Sequence, residues 1–245
     1  MIVERKNWSS THYPMRGAGL VLFDDDPVSG PTMHRLLGAE TDLHMARIPF
    51  PAGDNGLEAS LRAAAASLLP SAPPSVIGFA CTTGAVRLGA PRLRAAFARP
   101  GCTIMAADPI HAALAACRAM GLRRIALISP YDEEQSRMVA GALSSQGLDI
   151  PWLGHFDATD ADITSISAES IRAAARSAKV HRPDAIFLSC TGLRAVPLID
   201  ELESELEIMV LTSLQLLAWQ MATLLRLHPA GPGRLMRNTM WTTNP

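Results

Sequence analysis

The sequence predicts an α/β protein made of two similar halves. Short apolar runs alternate with Ala- and Leu-rich stretches along the whole chain, the pattern of a parallel sheet covered by helices. Segments of the first half recur in the second, in the same order and at nearly one spacing. The 245 residues are 48% hydrophobic and 18% charged, which supplies a core and excludes a disordered chain. At roughly 100–200 residues per domain, this is one large domain or two small ones.

Taken in order, Gly19–Phe23 is an apolar run of strand length, and Leu43–Ile48 alternates in polarity like a half-exposed strand. Val76–Ala80, Ile125–Ile128 and Ala185–Ser189 are further buried strands, with Cys102–Ala106 and Ile208–Leu211 as weaker ones. Between them, apolar residues recur at three- and four-residue spacing in Leu57–Leu69, Leu88–Phe97, Ile110–Met120, Glu134–Gln146, Ala168–Lys179, Leu198–Leu206 and Leu214–Leu225. That spacing gives each segment one apolar helical face.

The repeat rests on three pairs. Pro74–Thr82 reads against Pro183–Thr191 at an offset of 109, Cys81 to Cys190. Ile104–Ile110 reads against Ile208–Leu214 at an offset of 104, Ile104 to Ile208. Leu20–Phe23 reads more loosely against Ile125–Ile128 at an offset of 105, Leu20 to Ile125. The Cys-Thr dipeptide at matching strand ends is the most telling feature of the three.

Composition narrows the function. Lys and Arg total 22, Asp and Glu 23, and the net charge is −1, so no global field draws the chain to nucleic acid or to an anionic membrane. Aromatic residues are only 5%, too few for base-stacking platforms. The longest apolar stretch, Ile208–Leu225, is interrupted by Thr212, Ser213, Gln215 and Gln220, so no membrane span is expected. The N-terminal Met1–Asn7 has no apolar signal core, which points to the cytoplasm and to reduced thiols. Metal-binding and dinucleotide-binding spacings are missing, and the seven histidines show no ligand spacing. Of these, His111 alone falls near a helix start on the expected cleft side. Trp219 reads as packing, and Glu201–Glu207 as a solvated helix face.

Ligands in parallel α/β sheets sit beyond the carboxyl ends of the strands. Cys81 and Cys190 both stand there, each followed by Thr and a turn toward a helix. A helix N-terminus would lower a thiol's pKa, and its N–H groups, with the Thr82, Thr83 and Thr191 hydroxyls, could hold a carboxylate. Iodoacetamide is therefore expected to label Cys81 and Cys190 before Cys102 and Cys117, which read as core fillers.

Phe79-Ala80-Cys81-Thr82-Thr83-Gly84 and Leu188-Ser189-Cys190-Thr191-Gly192-Leu193 resemble the paired cysteine motifs of the aspartate/glutamate racemase superfamily. Arg47-Ile48-Pro49-Phe50, Ser129-Pro130-Tyr131 and Leu211–Trp219 resemble its subgroup of maleate isomerases and arylmalonate decarboxylases, nearest to the ectoine-utilisation proteins called EutA. The likeness runs over roughly 17–226. It implies two pseudo-symmetric lobes, each a mostly parallel sheet flanked by helices, with the active site between them. Residues 1–112 with 208–245 would form the first lobe, and 113–207 the second. It also implies neither metal nor organic cofactor, a small carboxylate or amino-acid substrate, and leaves a homo-oligomer open. Cys81 and Cys190 are the implied catalytic pair. Asp26, Thr82, Thr83, Tyr131, Thr191, Gly192 and Ser213 are the expected substrate-binding set.

Two thiols suit racemisation, which needs a base and an acid on opposite faces, or cis–trans isomerisation, which needs a thiolate to add to an alkene. The resembling decarboxylases carry one cysteine, which favours racemase or isomerase chemistry here. Decarboxylation and a non-catalytic binding protein of the same fold are the alternatives. The chain departs from the maleate isomerases at the first-strand loop, where Asp24-Asp25-Asp26 replaces a loop ending in Asn, and near Asp160, where a second Asn would fall. Carboxylates there suit a ligand that also carries an ammonium, and Asp26 is the residue expected to read it.

Overall fold

The computed structural model describes residues 16–39, 41–50, 53–68 and 73–238. The first sheet takes β1 (Arg16–Phe23), β2 (Thr41–Ile48), β3 (Val76–Phe79) and β4 (Met105–Ala107) in the order β2-β1-β3-β4. The second takes β5 (Ile125–Ser129), β6 (Leu153–His155), β7 (Ala185–Leu188) and β8 (Met209–Thr212) in the order β6-β5-β7-β8. All pairings within both sheets are parallel. The helices are α1 (Ser29–Leu37), α2 (Gly53–Ser67), α3 (Thr82–Phe97), α4 (Pro109–Met120), α5 (Glu133–Ser144), α6 (Ala168–Lys179), α7 (Ile199–Leu206), α8 (Ser213–Leu224) and α9 (Arg234–Arg237). The fold is two α/β lobes of the same strand order, as the repeat implied.

Each repeat pair falls on equivalent strands. β3 aligns Val76 with Met105 of β4, and β7 aligns Ala185 with Met209 of β8, which preserves the offsets of 109 (Val76 to Ala185) and 104 (Met105 to Met209). The third pair slips. Val21 lies opposite Phe79 and Ile128 opposite Leu188, so β1 matches β5 at 107 (Val21 to Ile128) rather than 105. Runs of buried aliphatic residues carry no mark of register, and only the hydrogen-bonded neighbour supplies it.

Strands β3, β5, β7 and the edge strand β8 are buried along their whole length, so both faces are apolar and the residues read as continuous hydrophobic runs. Local signals start the helices. Asp108 accepts from the amides of Ile110 and His111, and Pro109 opens α4. Thr212 and Gln215 form a capping box on α8. α8 is buried on nearly every side, with Leu214, Leu216, Leu217, Trp219 and Met221 at 4% exposure or less. At about 1.5–3 kcal/mol for each large apolar side chain, it is one of the main anchors of the molecule. Gly78 allows α8 to lie close on β3, since a Cβ there would stand 2.5 Å from the Met221 sulfur.

Two boundaries differ from the sequence reading, and three elements are absent from it. β8 pairs with β7 in the second sheet, so the return to the first lobe begins at α8, not at 208. α8 then packs on α1, α4 and β3. α3 starts at Thr82, well ahead of Leu88, because Cys81 serves as its N-cap and Gly89, at φ +70°, kinks it before Pro91. The elements β6 and α9 are too short to carry a periodic signal, and α1, whose Met33, Leu36 and Leu37 do recur at helical spacing, is obscured by Gly30 and Pro31. Residues 1–15 and 239–245 of the expected first lobe, and Leu69 at the end of its expected helix, lie outside the described residues.

Two minor readings also change. Cys102 is exposed rather than a core filler, while Cys117 is buried. In the acidic run, Glu201 and Glu205 face solvent and pair with Arg172 and Arg176, but Glu203 is buried. No helix among the described residues is long and apolar enough to cross a membrane.

Candidate active site

Both sheets reverse strand order at their second and third strands, β1/β3 and β5/β7, and ligands collect at such switch points. The carboxyl ends of these four strands converge on one cleft of about 110 Å³. β1 contributes Phe23 and the loop Asp25-Asp26-Pro27, β3 contributes Ala80 to Thr83, β5 contributes Tyr131, and β7 contributes Cys190 to Gly192. Phe50, Asp160, Ile163 and Thr164 complete the wall. Of the expected residues, Cys81, Cys190, Asp26, Thr82, Thr83, Tyr131, Thr191 and Gly192 all line this cleft, and Ser213 does not.

Cys81 is the N-cap of α3, and its sulfur accepts from the Gly84 amide at 3.3 Å and lies 3.6 Å from Thr83 Oγ1. Burial nevertheless raises its pKa, and the carboxylates of Asp160 and Asp26 add to the rise. Cys190 has no helix behind it, since Thr191 to Ala195 form bends before a short 3₁₀ turn. Its sulfur faces the Tyr131 hydroxyl and the Gly192 and Leu193 amides, yet burial dominates and pushes its pKa up to about 11. The expected depression of both thiols is therefore reversed: desolvation of the thiolate outweighs the hydrogen bonds aimed at it. Tyr131 is also held well above the usual range, first by burial and then by the two thiols beside it.

Cys190 sits at φ 123°, a region that side-chain-bearing residues rarely occupy. Such a residue costs about 1–3 kcal/mol and persists only where its surroundings hold it. Buried hydrogen bonds supply the hold. The Cys190 amide donates to Ser213 Oγ at 2.9 Å, and Ser213 Oγ lies 2.9 Å from Thr82 Oγ1. Thr191 Oγ1 donates to the Ala80 carbonyl at 2.9 Å. Thr191 and Ser213 thus stitch the two cysteine loops together across the lobes. Thr191 spends its hydroxyl proton on the protein, and Ser213 is fully buried behind the site.

Asp26 lines the cleft, but its carboxylate also caps α1. It accepts from the Val28 and Ser29 amides at 2.8 Å each and from Ser29 Oγ at 2.5 Å. Most of its lone pairs are therefore occupied. Arg47 donates to the carbonyls of Phe23, Asp24 and Asp26 at 2.9, 2.9 and 3.1 Å, pinning the same loop from outside. Asp160 is exposed, and among the described residues its carboxylate takes no hydrogen bond. Among the described residues, no Lys or Arg lines the cleft. His111 stands outside it, paired with Asp108 at 2.7 Å, and Gln215 caps α8 and donates to the Pro232 carbonyl.

Phe23, Phe50, Ile163 and Thr164 were not singled out from the sequence. Phe23 ends a recognised strand and could have been found by the strand-end rule. Phe50, packed against Phe23 with ring centroids 4.6 Å apart and the rings tilted by 35°, stood in a motif already noted. Ile163 and Thr164 sit in an isolated 3₁₀ turn with no periodic signal.

A family model described as arylmalonate decarboxylase matches residues 90–236, a span holding Tyr131, Cys190, Thr191, Gly192 and Ser213. The chain belongs to this family. Within the aspartate/glutamate racemase superfamily it falls in the group of arylmalonate decarboxylases and maleate isomerases. A maleate isomerase from Nocardia farcinica (strain IFM 10152) is 29% identical over 243 residues, covering 91% of this chain and 96% of that protein. Among solved structures, the Nocardia farcinica maleate cis–trans isomerase bound to TRIS superimposes with a TM-score of 0.77 at 24% identity, over 91% of this chain and 98% of that one. An arylmalonate decarboxylase gives 0.74 at 22% identity, over 90% and 99%. These structural likenesses establish the fold that this arylmalonate decarboxylase family member shares with them.

Chemically, the site offers two thiols on separate loops, each with hydrogen-bond donors aimed at its sulfur. A half-buried hydroxyl, Thr83, and the amides at the start of α3 and in the Gly192 turn face the same space. That set can hold a carboxylate and move a proton or a sulfur onto the adjacent carbon.

Proposed function

We propose that this protein is a thiol-dependent isomerase, a cis–trans isomerase or racemase acting on a small carboxylate in the cleft between the lobes. The observation that carries this reading is that Cys81 and Cys190 line one cavity of molecular size from opposite lobes. The maleate isomerase relative supports it, and one solved structure of a Nocardia farcinica maleate cis–trans isomerase holds a covalently bound succinylcysteine intermediate.

For an alkene substrate, a thiolate sulfur forms a C–S bond to one alkene carbon, and the π pair moves onto the far carbon and its carboxylate. The former double bond rotates, the pair returns, the C–S bond breaks and the thiolate leaves unchanged. For an amino acid, one sulfur takes the α-proton and the other returns a proton to the opposite face. The amino-acid route requires one thiolate and one thiol. In the alkene route one thiolate adds, and the second thiol lends a proton to the far carbon and takes it back before the C–S bond breaks. Cys81 is the better nucleophile, because the N-terminus of α3 and the Thr83 and Gly84 donors face its sulfur. Cys190, beside Tyr131, suits the proton-transfer role.

Carboxylates of Asp25, Asp26 and Asp160 line the cleft with no balancing cation among the described residues, which disfavours a dianion and favours a ligand carrying an ammonium. Asp160, not the capping Asp26, is the carboxylate free to contact it. The likeness to ectoine-utilisation proteins fits small amino acids and their N-acetyl derivatives in compatible-solute catabolism. The test is proton NMR in D₂O with maleate, small amino acids and N-acetyl amino acids. We expect deuterium at the α-carbon with inversion, or geometric conversion, lost in Cys81→Ala and in Cys190→Ala. Asp160→Asn should weaken an ammonium-bearing ligand and strengthen maleate by about 1–3 kcal/mol. Turnover undiminished in either cysteine variant would overturn the two-thiol scheme, and loss of CO₂ from a malonate alone would favour decarboxylation.

A further inference from the structure

We infer that Ser213 is a positioning residue that fixes the Cys190 sulfur and couples it to the Cys81 loop. Ser213 opens α8 and is fully buried, so no ligand reaches it. Its oxygen accepts from the Cys190 amide and lies at hydrogen-bond distance from Thr82 Oγ1. The Ser213 hydroxyl shares this second bond with Thr82, and either oxygen can donate in it. The circuit therefore runs from the Cys190 amide through Ser213 to Thr82 in the Cys81 loop, and Tyr131 stands on the cleft wall beside Thr82 and Cys190.

Cys190 depends on this circuit in two ways. Its backbone occupies φ 123°, where few non-glycine residues rest, and Ser213 is the partner that holds its amide there. The turn so formed aims the Gly192 and Leu193 amides at the sulfur. The Thr191 bond to the Ala80 carbonyl is a second tie between the loops and restrains Thr191 rather than the Cys190 amide. Ser213 stands on α8, the helix that leaves the second sheet and packs on the first lobe. It is thus the point at which the lobe connection touches the reactive residue. The inference needs Cys190 to be a responsive thiol, not the identity of any substrate, so it can fail while the proposed function stands.

The test measures iodoacetamide alkylation of each cysteine by mass spectrometry, as a function of pH, in the full chain. The titratable groups facing Cys190 are Tyr131 and Cys81, with Asp26 and Asp160 acting on Cys81, and all are kept. Ser213→Ala should slow Cys190 labelling about tenfold at neutral pH and raise its midpoint by about one pH unit, leaving the Cys81 profile in place. Ser213→Thr, which keeps the hydroxyl, should restore the profile. If Ser213→Ala does not fold, Thr82→Val breaks the circuit at an isosteric side chain and should shift Cys190 in the same direction by a smaller amount. A lower melting temperature with Cys190 labelling unchanged in rate and midpoint would overturn the inference and leave Ser213 a packing residue. Equal changes at Cys81 and Cys190 would do the same.

Discussion

The two cleft cysteines show how burial competes with a favourable local field. Cys81 caps a helix, a setting that lowers thiol pKa in exposed sites, yet desolvation and two nearby carboxylates raise it here. Cys190 rises to about 11 for the first of these reasons. Because both values are raised, the thiolate fraction at neutral pH is small and grows about tenfold per pH unit. Alkylation of Cys190 should therefore climb with pH through the alkaline range, and catalysis that needs one thiolate should climb with it. Access changes the order expected from the sequence. Exposed Cys102 should react first, Cys81 and Cys190 next, and Cys117, buried and raised to about 12, last. Peptide mapping after timed iodoacetamide treatment checks this, and a Cys117 that reacts ahead of the cleft pair would contradict it. The cysteines, Tyr131 and the Thr-Gly neighbours were legible in the sequence because they end strands. Their ionisation was not, since it depends on burial by residues distant in the chain. Asp26 and Ser213 were placed in the site by motif, and their hydrogen bonds show one capping α1 and the other bracing Cys190.

At the scale of elements, α7 and α9 form a latch that periodicity could not reveal. Glu203 lies within an acidic run whose neighbours are solvated, yet its carboxylate accepts from the Val210 amide at 3.1 Å and the Arg234 amide at 2.8 Å. Asp200 adds an ion pair to Arg237 at 2.7 Å, and Gln215 donates to the Pro232 carbonyl at 2.9 Å. The latch thus clasps α9 and the turn before it against β8 and the start of α8, next to Ser213. Glu203→Ala leaves two amides without an acceptor and should cost about 2 kcal/mol, whereas Glu203→Gln, which keeps an acceptor oxygen, should cost less. Urea unfolding of both variants measures the difference, and equal losses would show that charge rather than hydrogen bonding matters. Strand positions were legible because β3, β5, β7 and β8 are continuous apolar runs. Sheet membership of β8 was not, because an Ile-Met-Val-Leu run pairs equally well with either neighbour until the chain path decides.

At the scale of the whole molecule, duplication explains why the site exists. Two lobes of one strand order bring equivalent strand ends face to face, so a cysteine loop recurs on each side of the cleft. The hydrogen bonds of Ser213 and Thr191 then fix the spacing of those loops. The central claim is that both sulfurs address one bound molecule. The most direct test is cross-linking with 1,4-dibromobutane-2,3-dione, a bis-electrophile with the four-carbon length of maleate. Tandem mass spectrometry of the digested monomer should find, beside the adducts expected at exposed Cys102, a Cys81–Cys190 bridge that a bound substrate suppresses. Single adducts alone at these residues, or bridges that instead join Cys102, would contradict the account.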